Sequence, residues 1–135
     1  MGGGRPATRR AHATAVADTQ RCIARDATAS RSLADIGAAV GVSPFHLARL
    51  FRMQTGLSLH GYRDQLRLRM ALDRLADADV DLARLAVELG FASHSHFDDR
   101  FKRAYGRSPS TIRTLLRHGR AQTRTMMEAL RAMPA

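Results

Sequence analysis

The chain has one cysteine, Cys22, no tryptophan, five phenylalanines and two tyrosines in 135 residues. A single thiol closes no internal disulfide, which excludes the cross-linked framework of small secreted domains and fits a reducing, cytoplasmic setting. Cys22 sits among helix formers and reads as a small packed side chain, not a nucleophile. No apolar run approaches the roughly 20 residues of a membrane span. The opening Met1-Gly-Gly-Gly-Arg-Pro6 lacks the apolar stretch of a signal peptide, so no membrane partner is expected. Also missing are a phosphate-cradling glycine loop, a paired-carboxylate pattern and a nucleophile with an evident base, so no enzymatic activity is expected. His94-Ser-His96 has no cysteine or acid cluster to complete a tetrahedral set, and neither a metal nor a cofactor is expected.

Lysine is almost absent as well. The 22 basic residues are arginine except Lys102, and against 12 acids they leave a net charge of +10. Such a surplus on a small chain points to an acidic partner, nucleic acid. The charge is uneven: +4 over residues 1–31, −2 over 32–99 and +8 over 100–135. Beta-branched and aromatic residues are few, while alanine, leucine and arginine abound, which favours helix over strand.

The pattern predicts an all-α fold of about seven helices. Residues 1–12 read as a disordered basic arm. A first helix spans Thr14 to Ala27, with Val16, Ile23 and Ala27 on one side. A second runs from Leu33 to Val40, opened by Ser32 and Asp35 as a capping box. Gly41 breaks the chain, then Ser43 and Pro44 supply a cap and a first-turn proline for a third helix ending at Gly56. A long helix follows over residues 58–78, and the polar segment Asp77 to Asp81 marks a boundary. The predicted organisation is a first subdomain over 13–57, a linker helix over 58–78, a second subdomain over 79–118 and a helical tail over 119–135. In the tail, Met126, Ala129, Leu130 and Met133 share helical spacing. They are expected to pack on the first helix, the alternative being a surface for a partner.

The second half repeats the first. Ala34-Asp-Ile36 recurs as Ala83-Arg-Leu85, Val40-Gly-Val42 as Leu89-Gly-Phe91, Leu50-Phe-Arg52 as Arg100-Phe-Lys102, and Gly56-Leu-Ser58 as Gly106-Arg-Ser108. The second copy has one extra residue between turn glycine and phenylalanine. A short helix, a glycine turn and a second helix that buries Leu47 and Phe51, or Phe97 and Phe101, make a helix-turn-helix. The outward residues of its second helix would face bases in a major groove. A linker of about 20 residues is roughly 30 Å long, close to the roughly 34 Å between successive major-groove faces.

These stretches resemble the DNA-binding domain of the AraC/XylS family. The resemblance is carried by Leu33-Ala-Asp-Ile36, Gly41-Val-Ser43, Leu47-Ala-Arg-Leu-Phe-Arg52, Thr55-Gly-Leu-Ser58, Tyr62, Leu66-Arg-Leu68 and Ala71. It continues through Gly90-Phe-Ala-Ser93, His96-Phe97, Phe101-Lys-Arg103 and Gly106-Arg-Ser-Pro109, covering about residues 15–117. It implies a monomer with two helix-turn-helix units in adjacent major grooves of a bent, asymmetric site, and activation through contact with RNA polymerase. Most members carry a separate ligand-sensing domain; this chain looks like the small stand-alone members. Two departures stand out: Ile112 replaces the usual tyrosine, and Asp98-Asp99 stand where Ser-Arg is common.

The candidate site residues follow. Arg49 is expected to contact a base, in bidentate fashion to guanine. Phe45 either touches a thymine methyl or packs inward, and His46 lies beside it in the first turn. His94, Ser95 and Asp99 are the base-facing candidates of the second unit; an aspartate there opposes most base edges but accepts from cytosine N4. Arg52, Lys102 and Arg103, near helix ends, are expected at phosphates, together with Ser43, Arg67 and Arg113. The functional expectation is a sequence-specific transcription regulator, an activator; the competing reading is a protein-interaction module with weak or non-specific DNA binding.

Overall fold

The structure is a computed structural model that describes residues 6–77, 79–118 and 120–133. Among these residues the order is α1 (Pro6–Arg25), α2 (Leu33–Val40), α3 (Pro44–Thr55), α4 (Leu59–Leu75), α5 (Leu82–Glu88), α6 (His94–Tyr105), α7 (Pro109–Arg117) and α8 (Arg120–Ala132), with no strand. No helix among them is long and apolar enough to cross a membrane. The chain divides into two compact units, residues 1–63 and 64–135. The division falls inside α4, not at the polar Asp77–Asp81 segment, because Leu68, Ala71, Leu72 and Leu75 already belong to the second unit's core.

In the first unit α1 packs on α2 and α3. Its buried stripe is Ala15, Val16 and Ile23, completed by Ile36, Leu47, Leu50, Phe51 and Leu59. Thr19 lies inside this stripe; its hydroxyl donates to the Ala15 carbonyl at 2.8 Å and so is not left bare. Helix α1 begins at Pro6, which corrects the expected arm over residues 6–12: proline suits a first turn, and the alanines that follow extend a helix well. The arm's residues 1–5 lie outside the described residues.

Both short helices are capped by side chains. Ser32 closes the capping box with Asp35 at the head of α2, while Asp81 accepts from the amides of Ala83 and Arg84 at the head of α5. Ser58 caps α4 through the Gly61 amide at 3.0 Å, as Ser108 caps α7 through the Thr111 amide at 3.2 Å. Equivalent side chains thus start equivalent helices in both repeats.

The second core runs from α4 to α8 and stacks Phe91, Phe97, Phe101 and Tyr105 in successive edge-on or tilted pairs. Burial pushes the Tyr105 phenol above its ordinary range, partly offset by the guanidiniums of Arg69 and Arg131. Helix α8 contributes Met127 and Leu130 to this same core, and Met126 packs against it. The expectation that the tail lies on the first helix is corrected accordingly. Its heptad-like pattern was legible, but Met127 rather than Met133 is the buried methionine. Arg131 reinforces the seat of α8 by pairing with Asp73 of α4.

Candidate nucleic-acid interface

Each unit presents one helix built the same way. Ser43 accepts from the His46 amide at 3.4 Å and Ser93 from the His96 amide at 3.0 Å, so α3 and α6 start from matched serine caps. Counting from these caps, Leu47 matches Phe97, Arg49 matches Asp99, Phe51 matches Phe101 and Arg52 matches Lys102. Leu47, Phe51, Phe97 and Phe101 are fully buried, which fixes the opposite face of both helices outward.

On α3 the outward face carries Phe45, His46, Arg49, Arg52 and Met53. Phe45 is 77% exposed, so inward packing is not its role. His46 meets the His12 ring of α1 edge-on, with centroids 5.6 Å apart. The N-terminal part of α1 therefore borders the start of α3. No acid lies on α3, and its two arginines give it an undiluted positive face.

On α6 the outward residues are His94, Ser95, His96, Asp99, Lys102 and Arg103. His94 Nε2 lies 3.4 Å from the half-buried Asp98 carboxylate, and the His96 ring stands edge-on to Phe91 at 5.8 Å. Arg100 does not face outward with them. Its Nε and Nη2 both donate to one oxygen of Asp64, at 3.0 and 2.7 Å. Positive charge on α6 is thereby left at its C-terminal end, on Lys102 and Arg103, where it also complements the helix dipole. Among the described residues no group of three or more metal-ligating side chains comes together.

One expected phosphate contact is corrected, and a second is engaged within its own unit. Arg67 is buried; its Nη1 donates to the Gly90 carbonyl at 3.0 Å, and its guanidinium lies 5.9 Å from the centroid of the Phe91 ring. A charged side chain is retained there because the turn carbonyl needs a donor inside the unit. Arg113 is half-buried, and its Nη1 donates to the Val80 carbonyl at 2.6 Å. It ties α7 to the residue just before the Asp81 cap.

The first unit contains the counterpart of that bond. Arg63 Nη1 donates at 3.2 Å to the carbonyl of Arg31, the residue just before the Ser32 cap. Arg31 in turn donates to the Cys22 sulfur at 3.1 Å, consistent with a packed, structural thiol. These arginine struts went unread in the sequence, although Arg63 and Arg113 stand at matching places after Ser58 and Ser108. Asp64 was missed because nothing in its neighbourhood marks it as the partner of a residue 36 positions away.

A family profile described as a helix-turn-helix domain matches residues 36–115. The HTH-type transcriptional regulator GlxA of Rhizobium meliloti is 37% identical over 73 residues, which are 54% of this chain and 22% of that protein. The chain therefore spans about a fifth of the length of that curated relative. A transcriptional regulator from Chromobacterium violaceum, described as having an AraC-type DNA-binding domain, superposes with a TM-score of 0.71 at 24% identity, covering 78% of this chain and 95% of the other. The DNA-binding domain of AdpA, solved in complex with a target DNA, gives a TM-score of 0.68 at 23% identity, over 79% of this chain and 96% of the other. Two helix-turn-helix units with matched caps, turns and buried aromatics, together with the profile match across both, place this chain in the AraC-type helix-turn-helix family.

Proposed function

We propose that this protein is a sequence-specific DNA-binding transcription regulator that acts as an activator. Helices α3 and α6 each read a major-groove segment. The observation that carries the reading is the exposed Arg49 on a serine-capped helix whose opposite face is locked by Leu47 and Phe51. A rigid helix presenting an arginine suits bidentate donation to guanine O6 and N7.

Phe45 and His46 lie beside Arg49 as base-facing groups of the first unit, with Phe45 suited to a thymine methyl. His94, Ser95 and Asp99 take that place in the second. Arg52, Lys102 and Arg103 bind phosphates, and the hydroxyl of Ser43 keeps a donor for one while its oxygen caps α3. The chain binds double-stranded DNA as a monomer and engages RNA polymerase once bound. The fold is shared with a domain solved on its target DNA, which supports the choice of partner.

The test is selection of binding sites from randomised duplexes, followed by measurement of Arg49→Ala. A preferred sequence is expected, with affinity falling steeply as salt rises. Arg49→Ala is expected to lose about tenfold or more at one guanine of the first half-site, in line with the ~1–3 kcal/mol of a bidentate contact. Selection that enriches nothing over random competitor would overturn the proposal.

A further inference from the structure

The two outward helices share a frame but not a chemistry. Six residues after its serine cap, α3 carries Arg49; six after its own, α6 carries Asp99. Both are exposed, and both sit four residues beyond the next outward side chain, Phe45 in one and Ser95 in the other. A donor-only group has thus been exchanged for an acceptor-only group at a matched position.

The surroundings leave the Asp99 carboxylate without an ion partner among the described residues. Its neighbour Asp98 is half-buried and is met by His94 Nε2 at 3.4 Å. Its other neighbour, Arg100, is turned back onto Asp64. Among the described residues no ion pair is formed by Asp99. One carboxylate is therefore met by an imidazole of its own helix, and the other stands outward without an ion partner among these residues.

Base edges in the major groove sort cleanly against such a group. Guanine offers two acceptors, thymine an acceptor and a methyl, adenine an acceptor beside a donor; cytosine alone offers only a donor, its N4 amino group. Resting on the DNA reading above, we propose that Asp99 is the specificity-determining residue of the second unit, accepting from cytosine N4 and excluding guanine from the same position. The operator then has a direction: a guanine read by Arg49 in one half, a cytosine read by Asp99 in the other. Lys102 and Arg103 hold the backbone near the far end of α6, offsetting repulsion between the carboxylate and the phosphates.

The full chain is tested by selecting duplexes, then by competition binding in which each second-half position is changed in turn. Wild type is compared with Asp99→Ala and Asp99→Asn, with circular dichroism confirming that these exposed substitutions leave the helices intact. The expected result is one cytosine whose change to guanine weakens wild-type binding about tenfold or more. Asp99→Ala should flatten the preference at that position alone, and Asp99→Asn should move it to adenine, which asparagine contacts through N6 and N7. A cytosine preference that survives Asp99→Ala overturns the proposal, as does a second half-site with no position sensitive to residue 99. If the first half-site still depends on Arg49, only this inference fails; if neither half-site is enriched, the DNA reading fails with it.

Discussion

The turn of the first unit is one residue shorter than the turn of the second, and the helix beside each turn has adapted. Gly41 and Val42 lead to the Ser43 cap, whereas Gly90, Phe91 and Ala92 lead to Ser93. Both glycines hold positive φ, 75° and 89°, and both turns close with an amide-to-carbonyl bond, Val42 to Gly37 at 2.9 Å and Phe91 to Ala86 at 3.0 Å. The shorter turn brings backbone so close to α2 that a Cβ on Gly37 would stand 2.6 Å from the Val42 carbonyl oxygen. The matching Ala86 carries a Cβ and is fully buried. The second turn holds one more residue, Ala92, between Phe91 and its serine cap.

The sharpest break in this comparison concerns the core position after Arg49 and Asp99. Leu50 is buried, and its match is Arg100, whose guanidinium reaches Asp64. Leu50→Ala is expected to cost the first unit ~2–5 kcal/mol. Arg100→Ala is expected to cost the second roughly 1–3 kcal/mol, less than the 3–5 of a fully buried pair because the Arg100 side chain is 35% exposed. Hydrogen exchange resolved by residue would assign each loss to its own unit. Equal losses in both units would contradict the contrast.

Next comes the turn itself. Alanine ordinarily stabilises a helix interior over glycine by ~0.5–1 kcal/mol. Gly37→Ala is expected to reverse that sign and destabilise by roughly 1–3 kcal/mol, since backbone at 2.6 Å cannot swing aside as a flexible side chain would. Ala86→Gly is expected to follow the ordinary rule and lose about 1 kcal/mol. Deleting Ala92 in the Ala86→Gly background, read by thermal unfolding, tests whether turn length is the cause; recovery of the stability lost on deleting Ala92 alone is the expected outcome.

How much of this was open to a reader of the sequence varied by kind of interaction. Caps, turn glycines and the buried aromatics were legible because each is a local rule: Ser32 with Asp35, Ser43 with Pro44, Phe51 matched by Phe101. The outward faces of α3 and α6 followed from the same periodicity. Arg67 was misread because a charged side chain looks solvated until its carbonyl partner is known, and Gly90 lies far along the chain; the Arg113–Val80 bond went unread for the same reason. The Asp64–Arg100 pair shares that difficulty. The seat of α8 was half legible: the tail's spacing showed an apolar face, but nothing in it named the core that the face would join.

A smaller effect separates the two phosphate contacts proposed above. Arg52 and Lys102 hold matched places, so Arg52→Ala and Lys102→Ala should each reduce the slope of log affinity against log salt by about 0.9 without altering base preference. Filter binding at several salt concentrations measures both. A slope that changes for one and not the other would show that only one unit engages the backbone.

The smallest expected effect is confined to the second unit. Tyr105 has a pKa raised above 10.0 by burial, while its match in the first unit is Thr55. The folded state holds the phenol neutral where the unfolded chain begins to ionise, so this contribution is intact below pH 10 and is lost as pH rises through the folded value. Denaturant titrations should find the second unit losing stability above about pH 10, and Tyr105→Phe should flatten that dependence.

The paired arginine struts carry one further consequence. Arg63 and Arg113 each tie one helix of a unit to the residue before a cap, using a backbone carbonyl that any residue supplies. The identity of residues 31 and 80 is therefore immaterial to the bond, and so is the identity of residues 45, 49, 95 and 99. A chain built this way can have these exposed positions rewritten one at a time while the frame that presents them goes on folding. For anyone redesigning it, the two faces are independent alphabets on a common support.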